Sequence, residues 1–267
     1  MIRRDQGERR RARPLIAWLG LLLMTVSFVS LQLTAVPRSA RGDPDEPSAP
    51  APFALVVIDP GHGGQDSGTM KTGMVEKELT LDVAQRLERL LQQRGLATLL
   101  TRADDSYVSL QDRAAIANEQ QECVFVSIHF DEAGRPAATG IETFYAARPI
   151  SFPERMASWL PFLQRTSAEP PNVESQSLAT FIQESLVAHT QAVNRGTRPQ
   201  QFFVIANVRH PAVLVEGGFL TNKEDVAKLA NNDYREQMAV AISEGILRYR
   251  DTLQQERTPL AVNLSGE

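Results

Sequence analysis

Cysteine is almost missing from this chain: Cys123 is the only one in 267 residues. An intramolecular disulfide is excluded, and cysteine usage says nothing about the redox compartment. Cys123 opens the apolar run 123–126, where a packing role is expected. A phosphate-cradling loop of the P-loop type is absent, no serine or cysteine triad stands out, and there is no internal repeat. Basic charge is scarce beyond the N-terminus. Residues 1–40 hold seven Arg and two acids, whereas the remainder carries 21 basic and 30 acidic residues, a net of −9. Such a body lacks the basic face that replaces phosphate counterions, which argues against a nucleic-acid binder.

The N-terminus carries what the body lacks. Arg3, Arg4, Arg9, Arg10, Arg11 and Arg13 precede an apolar stretch of 23 residues, 14–36. About 20 apolar residues cross a bilayer as a helix, and an Arg cluster stays on the cytoplasmic side. A cleaved signal peptide has a shorter apolar region, about 7–15 residues, ending in a small-x-small site. Here Arg38 interrupts the site that would end at Ala40. An uncleaved anchor over residues 1–36 is favoured, and either reading exports residues 54–250. Residues 37–53, rich in Pro, Ala, Asp and Ser, read as a linker, 54–250 as a single catalytic domain, and 251–267 as a polar tail.

Within 54–250, strand and helix signals alternate. Six short apolar runs, 54–59, 97–101, 124–129, 141–145, 201–205 and 212–216, read as strands. Leu79, Val83, Leu87, Leu90 and Leu91 stripe one face of a helix over 76–94, with Gly95 as its stop. Further helices are predicted over 109–120, 175–193 and 233–250, the last striped by Tyr234, Met238, Ile242, Ile246 and Tyr249. The fold class this implies is α/β, a mainly parallel (mixed) six-stranded sheet with helices on both faces. Residues 147–174 break the alternation. They are Pro-rich at both ends and place Met156, Trp159, Leu160 and Leu163 at helical spacing. A docked surface loop is the plainer expectation. The alternative is a lid or an element that binds a regulator.

Three strand candidates end in residues that carry chemistry. His62 lies in the turn Pro60-Gly61-His62-Gly63-Gly64, His129 ends the third run, and Glu216-Gly217-Gly218 ends the sixth. In a parallel sheet these ends share one edge, where ligands bind. Glycines let the backbone turn sharply beside His62. Two imidazoles and a carboxylate form a catalytic zinc set with a position left open for water, whereas magnesium and calcium prefer oxygen shells. The carboxylate is Glu76 or Glu78, at the start of the first helix, and spacing does not choose between them. Either also complements a helix N-terminal dipole. Among weaker candidates, Glu142 either orients substrate or makes a structural pair, and His210 lies in a turn before Pro211. His189, Arg102 and Arg113 read as packing, ion-pair or helix-surface residues.

The strings Val57-Ile58-Asp59-Pro60-Gly61-His62-Gly63-Gly64, Glu76-Lys77-Glu78-Leu79, Thr101-Arg102, Arg113 with Ala117-Asn118, Ser127-Ile128-His129, Asn194-Arg195-Gly196 and residues 211–222 resemble the N-acetylmuramoyl-L-alanine amidases of the amidase-3 type. The resemblance runs in order over roughly residues 54–250. It implies a Zn²⁺-dependent enzyme of the cell envelope that cuts the amide bond between N-acetylmuramic acid and L-alanine in peptidoglycan. It implies His62, Glu76 and His129 as zinc ligands, with Glu76 chosen because it immediately precedes Lys77. It implies Glu216 as the catalytic carboxylate. The chain departs from the family where Phe130-Asp131 replaces the usual Ala-Asn and where Ile205-Ala206 replaces a Leu-Arg pair. Two other readings stand beside this one: a non-catalytic peptidoglycan-binding or regulatory relative, and a zinc peptidase acting within the stem peptide.

Overall fold

Apolar strands need cover on both faces, and the helices between them here supply it. The computed structural model describes residues 52–71, 73–131, 137–146 and 172–257. The expected anchor at 1–36, nearly all of the linker, the 147–174 excursion up to its last three residues and the chain beyond 257 lie outside the described residues. Among the described residues no helix is long and apolar enough to cross a membrane.

In chain order the elements are β1 (Leu55–Pro60), β2 (Met70–Lys71), β3 (Met74–Val75), α1 (Glu76–Gln93), β4 (Ala97–Leu100), α2 (Leu110–Asn118), β5 (Cys123–Asp131), β6 (Ile141–Tyr145), α3 (Val173–Thr190), β7 (Asn194–Pro199), α4 (Phe203–Ala206), β8 (Ala212–Phe219), α5 (Lys223–Leu229) and α6 (Asn232–Arg257). Six strands form one mixed sheet in the order β4-β1-β5-β8-β6-β7, and β2 and β3 make a small hairpin. β4, β1, β5 and β8 run parallel, β6 is antiparallel to β8, and β7 is parallel to β6. This is the mixed sheet expected from the run pattern.

The two faces are covered unequally. Val56, Ile58, Val124, Val126, Ile128, Val213 and Val215 point to one face, where the stripes of α1, α3 and α6 bury them. Val57, Phe125 and Leu214 point to the other, covered by Ala114 and Ala117 of α2 and by the short α4. Side chains alternate along a strand, so the second face continues through Asp59, Ser127, His129 and Glu216 at the C-terminal strand ends. Polar residues thus take over where α2 and α4 give way. Local signals fix the helix ends. Ser109 Oγ accepts from Asp112 N, Asn172 Oδ1 accepts from Ser175 N, and Gly95 at φ 76° donates to Gln92 O after α1. Cys123 is buried against Ala117 O, and burial pushes its thiol up to about 11, as a packing residue requires.

Three expectations are corrected. The run 201–205 is not a strand: its apolar residues lead into α4, where Val204, Ile205 and Ala206 are buried on the α2 face. The sixth strand is instead β7, a polar edge segment with no apolar stripe. The last helix continues past residue 250 to Arg257 because Leu253 still packs into the core, and Phe53, in the expected linker, stacks on Tyr249.

Candidate metal centre

The turn after β1 is held by two arginines that are each 3 % exposed. Arg102 donates to Pro60 O at 3.0 Å and Gly61 O at 2.8 Å. Arg113 donates to Pro60 O and His62 O at 2.6 Å each, and its Nη1 pairs with fully buried Asp59 at 2.6 Å. Thr101 and Ser127 hydroxyls satisfy the same Asp59 carboxylate. This grip keeps His62 at φ 60°, a left-handed conformation that costs a non-glycine residue about 1–3 kcal/mol and persists only when its surroundings enforce it. The ion-pair expectation holds for Arg113, but neither arginine lies on a helix surface; carbonyls turned inward draw both into the interior.

The turn delivers His62 to Glu76, the first residue of α1. His62 Nε2 lies 3.0 Å from Glu76 Oε1, and His129 Nδ1 lies 3.1 Å from the same oxygen. The donor atoms of His62, Glu76 and His129 all fall within 4.8 Å of one another, a group that could hold a metal ion. Glu76 is 4 % exposed, while Glu78 is exposed and outside the group. Glu76 is fixed by backbone donors, Thr69 N at 2.8 Å to Oε2 and Phe130 N at 3.1 Å to Oε1. Burial alone would push its carboxyl up, but hydrogen bonds and charge from His129 and His62 hold it well below the usual carboxylate range. Burial likewise works against charge on His62, and the Glu76 and Asp66 carboxylates outweigh it and raise the imidazole above its ordinary value.

Two glycines make room. A Cβ on Gly61 would lie 2.3–2.7 Å from ring atoms of His129, and one on Gly68, at φ 62°, would meet Glu76 Oε2 at 2.5 Å and His62 Cδ2 at 2.6 Å. Asp66 was not among the residues expected from sequence, yet its Oδ2 sits 2.9 Å from His62 Nδ1. Its signal is its position, four residues after a histidine within a glycine turn. Lys77 was not expected here either; it ties Gly64 O and Asp105 to the helix start at 2.8 and 2.7 Å.

Glu216 stands directly beside His129 in the parallel β5–β8 register. Part of its surface is open, but Oε2 is buried and accepts no hydrogen bond among the described residues. Burial first, then the negative charges of Glu76, Asp131 and Glu142, push its carboxyl well above the usual range. Glu142 is its opposite number on β6 and forms ion pairs with Arg195 and Arg198. His210 lies at the other end of β8, 3.1 Å from Gln120 O, and His189 pairs with Glu244 at 2.7 Å between α3 and α6. Neither reaches the site.

The fold is shared with known proteins. Residues 56–248 match the family described as N-acetylmuramoyl-L-alanine amidase. The chain is 35 % identical over 194 residues to the N-acetylmuramoyl-L-alanine amidase LytC of Bacillus subtilis, covering 73 % of this chain and 35 % of LytC. It is 33 % identical over 231 residues to the uncharacterized protein YqiI of the same organism, covering 86 % and 98 %. A crystal structure of an N-acetylmuramoyl-L-alanine amidase from Clostridium difficile 630 matches with a TM-score of 0.64 and 34 % identity, covering 76 % of this chain and 99 % of that one. The chain is therefore an enzyme of the N-acetylmuramoyl-L-alanine amidase family.

Proposed function

We propose that this enzyme hydrolyses the amide bond between N-acetylmuramic acid and the L-alanine of the peptidoglycan stem, with zinc held by His62, Glu76 and His129 and with Glu216 as the general base. The observation that carries the reading is the convergence of these three donors beside a buried, unpartnered carboxylate oxygen at the C-terminal strand ends. The residues fit the ion. Two imidazoles and one carboxylate form a zinc set. Asp66, placed as the outer-shell carboxylate that orients a ligating imidazole, engages Nδ1 of His62 and leaves Nε2 facing Glu76.

Zinc at this site supplies Lewis acidity toward the scissile carbonyl and lowers the pKa of water to about 7. The rest is done by the chain. Glu216 accepts a proton from the attacking water as the water oxygen bonds to the carbonyl carbon. As the C–N bond breaks, Glu216 returns that proton to the departing nitrogen of L-alanine. The products are a carboxylate on the sugar's lactyl arm and a peptide with a free amine. Gly61 and Gly68 keep the donors close, and the Arg102–Arg113 grip holds the His62 turn rigid. The Arg-rich start and the apolar stretch 14–36 support tethering on the outer side of a membrane, and the 147–174 excursion is the segment proposed to meet a regulator.

Glu216→Gln tests the assignment of the base. The variant should bind zinc as the wild type does and lose on the order of 10²–10⁴ in turnover. Loss of zinc would make Glu216 a ligand, and full activity with zinc bound would remove it from the mechanism.

A further inference from the structure

Glu142 lies opposite Glu216 on the antiparallel neighbour strand and is 4 % exposed. Two arginines of β7 turn onto it: Arg195 Nε at 3.2 Å and Arg198 Nε at 2.5 Å. Residues three apart on a regular strand point to opposite faces. The register explains why these two converge. Ile141 to Thr143 of β6 spans Asn194 to Thr197 of β7, so β7 carries one extra residue there, and Gly196 sits at φ 86°. Such a bulge re-aims side chains. It gathers two guanidiniums around one carboxylate, in a body that is otherwise acidic. Arg195 is held further by the Phe219 ring, 4.9 Å from its guanidinium carbon, whereas the Arg198 side chain is 58 % exposed. Arg195 Nε donates to Glu142 Oε2, whereas Arg198 Nε approaches Oε1 as an ion pair without a hydrogen bond, so both guanidiniums keep terminal N–H groups for a second carboxylate.

We propose that Arg198, backed by Arg195 and oriented by Glu142, is a carboxylate subsite for the stem peptide of the substrate; this rests on the amidase reading above. β7 lies two strand spacings from Glu216, roughly 10 Å. An extended peptide advances about 3.3–3.6 Å per residue. The subsite therefore takes a carboxylate on the second or third residue of the stem. It sets which stems bind well without touching the cut bond.

The test uses the full chain loaded with zinc and two soluble muramoyl peptides, one with free carboxylates at stem residues two and three and one with both amidated. Wild type should show a lower KM on the free acid. Arg198→Gln should raise that KM about tenfold with kcat unchanged, and should leave the amidated substrate within about twofold. Arg198→Lys should recover part of the loss. Equal KM values for wild type on both substrates, or an equal rise on both in Arg198→Gln, would overturn the subsite while leaving the amidase reading intact. Cleavage of neither peptide by wild type would overturn both.

Discussion

Arg113→Met removes a guanidinium that serves three backbone carbonyls and one carboxylate. Methionine fills most of the volume of the side-chain stem but donates nothing. The lost contacts are Asp59 Oδ1, Pro60 O and His62 O at 2.6 Å each and Val108 O at 3.0 Å. Pro60 O keeps Arg102, and Asp59 keeps the Thr101 and Ser127 hydroxyls, but its buried charge loses its counterion. Removing one partner of a buried ion pair costs about 3–5 kcal/mol. Release of the left-handed His62 returns about 1 kcal/mol of that. A net loss of about 2–4 kcal/mol, at roughly 2–4 °C per kcal/mol for a domain of this size, lowers Tm by about 4–16 °C. Urea denaturation and thermal melting of metal-free protein measure both quantities. Adding Asp59→Asn should recover part of the loss, because the stranded charge goes with it. A loss below about 1 kcal/mol, or a double variant no more stable than the single, would refute the picture of a buried pair clamping the turn.

The same geometry sets two further outcomes. Asp66→Asn should weaken zinc binding about 10–100-fold in competition with a chelator, because an amide holds the His62 ring less firmly than a carboxylate does; unchanged affinity would reduce Asp66 to a surface contact. The pH dependence of stability should change in metal-free Glu216→Gln. The folded-state pKa of Glu216 is raised, so its favourable contribution is complete below the unfolded-state carboxylate pKa and is lost as pH rises through the folded value. The variant should therefore melt above wild type at pH 8, with the gap closing toward pH 4, and a gap that widens on acidification would contradict the repulsion among Glu216, Glu76, Asp131 and Glu142.

The buried strands were legible because burial on both faces leaves an unbroken apolar run, as in β1 and β5. β7 left no such trace. At the sheet edge its residues Asn194–Pro199 face no core, and its role lies in a bulge that no hydrophobic pattern encodes. The run before β8 misled because α4 buries the same apolar residues that a strand would. At the site, glycines and strand-end histidines marked the chemistry, but spacing alone left Glu76 and Glu78 equivalent. Burial separates them, since only Glu76 turns inward from the first turn of α1. Arg102 and Arg113 hid for a different reason. Their partners are main-chain carbonyls of a turn whose shape the sequence does not spell out.

The bond that is cut decides the central claim. Purified peptidoglycan digested with the zinc-loaded full chain and analysed by mass should yield sugar strands stripped of peptide together with stem peptides that begin at a free L-alanine amine. Stems shortened within the peptide, with their first residue still joined to the sugar, would contradict it.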